Sequence, residues 1–445
     1  MKEGEDEVKD EAEEDDAWKL TESVFADRRK LCDARAFVNT PKVRAKRFYA
    51  DWERCSGADG SGKRFQKFVT LGDKRVKAGK MALDDAIEEI RQALVPYWQL
   101  CLSAYQFYVS GDGDMTDGGI TNFCPRQNSY TQFLRDAIDE KVMKPMLFQE
   151  LLRVFITVNQ EEKDDANSAQ SAAENDMNTD IAMMGHEWME MIVRVSGALY
   201  RKDEPDGNLG TCVERFLGDM KRNLPRLAQH NPDEYRSHRL YSEDVHHVFD
   251  PPGRLKRGEG FENKDILKAI FTCYSMYNLG KKHRKGMKKA AVPVFGMDTW
   301  NRMLTDSGFF VVSTMKRQDC KLVFLMSRMQ CVDEYQRDKE GQLDFVSFLE
   351  ALCRLADGHA AGQIQPTFAY GDRLHEVLPP FLDVFLNGIA KFHRGELRIK
   401  APGSAHDNKM LADMHCYLTE ADIQQIAAED GGYAGGHQKG STLDR

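Results

Sequence analysis

Apolar residues recur at helical spacing through most of the chain between Trp18 and about residue 400. Phe48, Tyr49 and Trp52 form an aromatic cluster in a helical run that the glycines between Gly57 and Gly62 break. A long apolar face starts near Met81 and continues through Ile87, Ile90, Leu94 and Trp98 to about Tyr108, with Pro96 as a candidate kink. Later, Trp188, Met191, Ile192, Val195 and Leu199 share one helical face, and so do Phe345, Phe348, Leu349, Leu352 and Ala356. Period-two alternation is scarce, so β structure should be short. The fold class expected is all-α.

The middle of the chain repeats itself. Phe133-Leu134-Arg135-Asp136 corresponds to Met303-Leu304-Thr305-Asp306, an offset of 170. Phe155 corresponds to Phe324, an offset of 169, and Trp188 to Phe348, an offset of 160. The offset shrinks because the first copy has a longer loop around residues 160–180. Each copy reads as helix, loop, two helices, loop, helix, the order of two helix–loop–helix units. The organisation expected is an acidic disordered tail (1–17), a helical segment (18–80), a first four-helix lobe (81–204), a connector (205–258), a second lobe (259–358), a helical flank (359–400) and a mobile tail (401–445). Within the polar connector, Val213 to Leu224 is helix-like, and the run Asp244 to Phe249 is ended by Pro251-Pro252. In the flank, a helix near Phe381–Phe392 should pack on the second copy.

Charge alters this picture only at the N-terminus. The chain carries a net −9, with 41% hydrophobic and 30% charged residues. Residues 1–16 hold ten carboxylates against Lys2 and Lys9, a net −8. Subtracting −8 from −9 leaves −1, so the remainder is near neutral and gives no argument for nucleic-acid binding. No run approaches the roughly 18 apolar residues of a membrane span. The acidic start is unlike a secretory signal. Ten scattered cysteines lack CxxC spacing, which points to a reducing, intracellular compartment.

Calcium loops are the first chemistry to test. Such a loop places oxygen ligands at positions 1, 3, 5, 7, 9 and 12, a glycine at 6 and a bidentate Glu at 12. In the second copy, Gly341 and Leu343 set positions 6 and 8. Gln336 and Ser347 then stand at 1 and 12, so the first and last ligands are lost. In the first copy, Glu187 at 12 puts Asp176, Asn178 and Asp180 at 1, 3 and 5, but Ile181 replaces the glycine. This is the candidate Ca²⁺ site, and binding there should be weak or absent. Asp112-Gly-Asp114 opens a third such loop, whose twelfth residue is Phe123. Gly57 to Lys63 falls short of a P-loop, because Arg64 replaces the Mg²⁺-binding hydroxyl and the preceding run is helical. His186-Glu187-Trp188-Met189-Glu190 is HExxE and lacks the second zinc histidine. Lys281, Lys282, Arg284, Lys285, Lys288 and Lys289 form a basic loop suited to an acidic partner surface. No convincing nucleophile–base set is present.

An ordered series of segments carries a family resemblance. It runs through Ser23-Val-Phe25, Phe48-Tyr-Ala-Asp51-Trp52-Glu-Arg54, Tyr105-Gln-Phe107-Tyr108 and Phe155-Ile-Thr-Val-Asn159 to His186-Glu187-Trp188-Met-Glu190-Met-Ile-Val-Arg194. It continues in Asn231-Pro-Asp-Glu-Tyr235-Arg, Met329-Gln-Cys-Val-Asp333-Glu334 and Leu343-Asp-Phe345-Val-Ser-Phe348-Leu-Glu350-Ala-Leu-Cys-Arg354. Over about residues 20–360 the chain resembles EF-hand-like proteins of flagellated protists and algae. The resemblance implies two tandem degenerate EF-hand-like lobes in a non-enzymatic structural protein of the flagellar axoneme. The implied partners are axonemal proteins and tubulin. A calcium-responsive regulator using the Asp176–Glu187 loop is the alternative.

Overall fold

Helices begin and end where the local chemistry demands. In the computed structural model, which describes residues 18–57, 62–111, 115, 120–159, 182–252, 263–282, 295–335, 341–371 and 373–393, Thr40 caps the first long helix. Its side chain accepts from the Val43 N–H, Pro41 fills the first turn, and Gly57 ends the helix at φ 58°. The expected tails at 1–17 and 401–445 lie outside the described residues.

The longer helices are α1 (Pro41–Ser56), α2 (Lys63–Gly72), α3 (Leu83–Leu94), α4 (Trp98–Gly111), α5 (Gln127–Ala137), α6 (Pro145–Asn159) and α7 (Gly185–Tyr200). They continue as α8 (Leu209–Asn223), α9 (Glu243–Phe249), α10 (Asn263–Lys282), α11 (Met297–Asp306), α12 (Arg317–Ser327), α13 (Phe345–Ala361) and α14 (Leu374–His393). Pro96 divides α3 from α4 through a 3₁₀ turn, Val95–Tyr97, rather than bending one helix. A proline has no N–H to continue the ladder. The flank helix starts earlier than expected and carries Pro379 and Pro380 inside it. The chain is mostly helical. Among the described residues, sheet is confined to β1 (Phe295–Gly296) paired antiparallel with β2 (Gln342–Leu343), and to a bridge between Arg126 and Ala182. No described helix is long and apolar enough to cross a membrane.

The sequence repeat returns as a repeat of contacts. The Tyr108 hydroxyl donates to Asp136 at 2.7 Å, and the Tyr274 hydroxyl donates to Asp306 at 3.0 Å. The Tyr130 hydroxyl donates to the Leu151 carbonyl, and Trp300 Nε1 donates to the Cys320 carbonyl. The Tyr130 ring lies 5.6 Å from Phe155, and the Trp300 ring 6.4 Å from Phe324. The Arg126–Ala182 bridge matches the pairing of Gly296 with Gln342. Helices α4–α7 therefore correspond in order to α10–α13.

Each set is followed by a helix that folds back onto it. After α7, α8 packs against α3, α5 and α7; after α13, α14 packs against α9, α11 and α13. Asn223 of α8 donates to the Ala137 carbonyl at 2.9 Å. Gly388 of α14 meets the Ser307 carbonyl at the equivalent place, since Ala137 and Ser307 also differ by 170. The buried residues of α14 are Leu374, Leu378, Phe381, Leu382, Phe385 and Ile389, an apolar stripe at helical spacing. The described part of the connector, 205–252, is thus well packed, with Val213, Phe216, Leu217 and Phe249 all buried.

The two halves differ in how their third helices are covered. Helix α12 packs on α4 of the first half as well as on its own neighbours, and Cys320 to Ser327 are all buried. Its counterpart α6 leaves Ile156 exposed.

Candidate functional site

The residues that the sequence reading places at position 8 of each loop both sit at a β-type contact. Leu343, at position 8, lies opposite Phe295, and the N–H of Met183, the first copy's position 8, donates to the Pro125 carbonyl at 3.0 Å. The Glu187 carboxylate is buried at the third residue of α7 and accepts from the Met184 N–H at 2.7 Å, closing the helix start. In the second copy, Asp344 caps α13 by accepting from the Ser347 N–H at 2.7 Å. Asp176, Asn178 and Asp180 lie outside the described residues. Lys281 and Lys282 are the last residues of α10. Arg284, Lys285, Lys288 and Lys289 lie outside the described residues. Among the described residues, no three His, Cys, Asp or Glu side chains converge as a metal site. Calcium titrated calorimetrically is expected to bind weakly or not at all. Submicromolar binding that Glu187→Gln abolishes would make the Asp176–Glu187 loop a working site.

The HExxE residues serve buried ion pairs. Glu190 accepts from Arg64 Nη2 at 2.9 Å and from Arg194 Nε at 2.6 Å. Its counterpart Glu350, fully buried, accepts from Arg28 Nη2 at 2.7 Å, Arg236 Nε at 3.0 Å and Arg354 Nε at 2.9 Å. Burial alone would raise the Glu350 carboxyl, but Arg236, Arg28 and Arg354 outweigh it and hold it below the usual carboxylate range. Arg354 also covers the Tyr235 ring at 4.1 Å, as Arg194 covers Phe68 at 4.5 Å. These clusters were missed in sequence. Their signal was an E-x-x-x-R spacing on both fourth helices, Glu190 to Arg194 and Glu350 to Arg354.

The polar cluster that joins the halves is the candidate site. The segment following α12 is gripped by the N-terminal segment. The Gln330 N–H donates to Asn39 Oδ1 at 2.9 Å, and the Val332 N–H to Asp33 Oδ2 at 3.0 Å. Arg54 pairs with Asp333 at 2.9 Å and lies 4.6 Å from the centre of the Tyr335 ring. Next comes Glu334, which reaches the N-terminus of α7. Both of its oxygens accept from the Gly185 N–H at 2.9 Å, and Arg47 Nη2 donates to Oε2 at 2.8 Å. His186 Nδ1 stands 3.6 Å from Oε1. Asp51, one turn beyond Arg47 on α1, accepts from Arg47 Nε at 2.8 Å. Gly185 is required by this crowding, because a Cβ there would lie 2.8 Å from Glu334 Oε2 and 3.1 Å from Asp51 Oδ2.

Comparison with family models, with curated proteins and with solved structures finds no match to this chain.

Electrostatics divides the two seam carboxylates. Burial would raise Glu334, but Arg47, His186 and the Gly185 N–H hold it down at about 2. Asp51 goes the other way: burial, with Glu334 adding to it, pushes it up to about 7 against the pull of Arg47. Burial depresses His186, but Glu334, Glu187 and Asp51 outweigh it and raise the imidazole. A cleft of about 320 Å³ opens beside the seam between Cys32, Gln330 and Phe345. Two of its carboxylates, Asp33 and Asp344, are already engaged by the Val332 and Ser347 N–H groups.

Proposed function

We propose that the chain is a non-enzymatic scaffold of the flagellar axoneme, built on two degenerate EF-hand-like lobes. Helices α4–α7 form one lobe and α10–α13 the other. The observation that carries this reading is that each set is closed by its own following helix. A sensor lobe opens its groove to a target when calcium arrives. Here α8 and α14 already lie against the two sets, and α14 does so with six buried anchors. The seats that end a calcium loop are also engaged in holding helix starts, through Glu187 and through Asp344 with Ser347. Both features suit a permanently assembled support better than a switch.

Placement in the axoneme rests on the resemblance of the ordered segments to EF-hand-like proteins of flagellated protists and algae. Its partners would be axonemal proteins, with tubulin a candidate through the cations from Lys281 to Lys289. The deciding experiment is fractionation of flagella with an antibody to the chain. The protein is expected to remain with axonemes after detergent and salt washing. Recovery entirely in the soluble or membrane fraction would sink the assignment.

A further inference from the structure

We propose that the seam between the halves is a proton-operated latch: it holds while Asp51 carries a proton and loosens when that proton leaves. The geometry shows why one carboxylate should be singled out. Arg47 serves two acids at once, giving Nε to Asp51 and Nη2 to Glu334, with Nη1 on the Cys331 carbonyl at 3.3 Å. Glu334 has further support from the Gly185 N–H at the start of a 16-residue helix, where an anion is favoured. Asp51 has none. Its Oδ1 is buried and has no hydrogen-bond partner, and the residue is 0% exposed. An ionised carboxylate so placed is costly, and taking up a proton relieves it.

The groups that face Asp51 come from three sides. Arg47 lies on its own helix, where Cys55 is one turn further on; His186 comes from the start of α7, and Glu334 from the seam segment. Beyond Cys55 lie Arg64 of α2 and the Glu190 and Arg194 side chains of α7. Tyr105 of α4 faces Glu334 and Arg47. An Asp51 raised by burial holds its proton in the closed seam at a pH where the opened chain has already lost it. For Asp51 alone, opening therefore becomes easier as pH rises from the ordinary value of 3.8 towards about 7, and this contribution levels off above that. The raised His186 pushes in the same direction. Glu334 acts oppositely, but only below the usual carboxylate range.

Two measurements on the full chain test the latch. In the wild-type protein labelled at aspartate carboxyl carbons, the Asp51 signal is expected to titrate near neutral pH; a midpoint below pH 5 would overturn the proposal. Hydrogen exchange at the Gly185 and Val332 amides, corrected for intrinsic rates, is expected to show an open fraction rising up to about tenfold per pH unit between pH 5 and 7. In Asp51→Asn, which keeps an oxygen for Arg47 Nε, that rise should vanish. A rise that survives in Asp51→Asn, or that His186→Gln removes instead, would show that Asp51 is not the sensing group.

Discussion

Glu350→Ala is expected to cost about 3–5 kcal/mol, enough to unfold the second half near body temperature. The carboxylate itself is not the whole reason. Arg28 and Arg236 are 1% and 0% exposed at their side chains, and Arg354 is 5% exposed. Removing Glu350 takes a shared carboxylate from three guanidinium groups that water barely reaches. Arg236 retains Asp233 at 2.7 Å and the Met326 carbonyl at 2.8 Å, but the Arg28 Nη2 bond to Glu350 is lost outright. The matching change in the first half should cost clearly less. Arg64 is 25% and Arg194 11% exposed, so solvent takes up part of the lost interaction. Urea denaturation of Glu350→Ala and Glu190→Ala side by side checks the ordering. Equal losses would mean that the number of buried arginines does not set the cost.

Gly388→Ala should dislodge α14. A Cβ at this position would sit 1.9 Å from the Ser307 carbonyl oxygen and 2.8 Å from its carbon. Both atoms are backbone, so no side chain can swing aside, and the helix has to move as a body. Overpacking usually costs about 1–3 kcal/mol, and this contact lies at the severe end. The expected readout is loss of hydrogen-exchange protection across residues 374–393 with a lowered melting temperature. Gly218→Ala is the control. It lies in α8 with nothing within 4 Å of a new Cβ, and should stabilise by about 0.5–1 kcal/mol. Undiminished protection of α14 in Gly388→Ala would mean that the helix is not seated on the second set.

Periodicity made the helices legible, and aromatic spacing made the repeat legible. Phe155 and Trp188 have aromatic counterparts in Phe324 and Phe348, at offsets of 169 and 160. The packing of α8 against α3, α5 and α7 was harder to see. Val213 to Leu224 reads as helical, but a helical stripe does not say which surface it meets. The seam was illegible for a similar reason. Arg47, Asp51, Gly185 and Glu334 come from three distant segments, and no local pattern marks a contact between residues 287 positions apart. The sequence reading gave Glu187 a ligand role at position 12, and in the fold its carboxylate accepts from the Met184 N–H at the helix start. A carboxylate three residues into a helix satisfies either geometry.

The N-terminal segment also sets a timetable for synthesis. Arg28 and Glu350 are 322 residues apart, and Asn39 meets Asp233 across 194. At about 5–20 residues per second, the ribosome reaches Glu350 roughly 15–65 s after Arg28. During that interval the first half can close around α4–α8, while the segment carrying Arg28, Asp33 and Asn39 waits with its polar groups in water. A segment made late is therefore what the first part needs. Truncated or stalled products would keep a stable first half with an unengaged N-terminal arm, a form that proteolysis can tell from the finished protein.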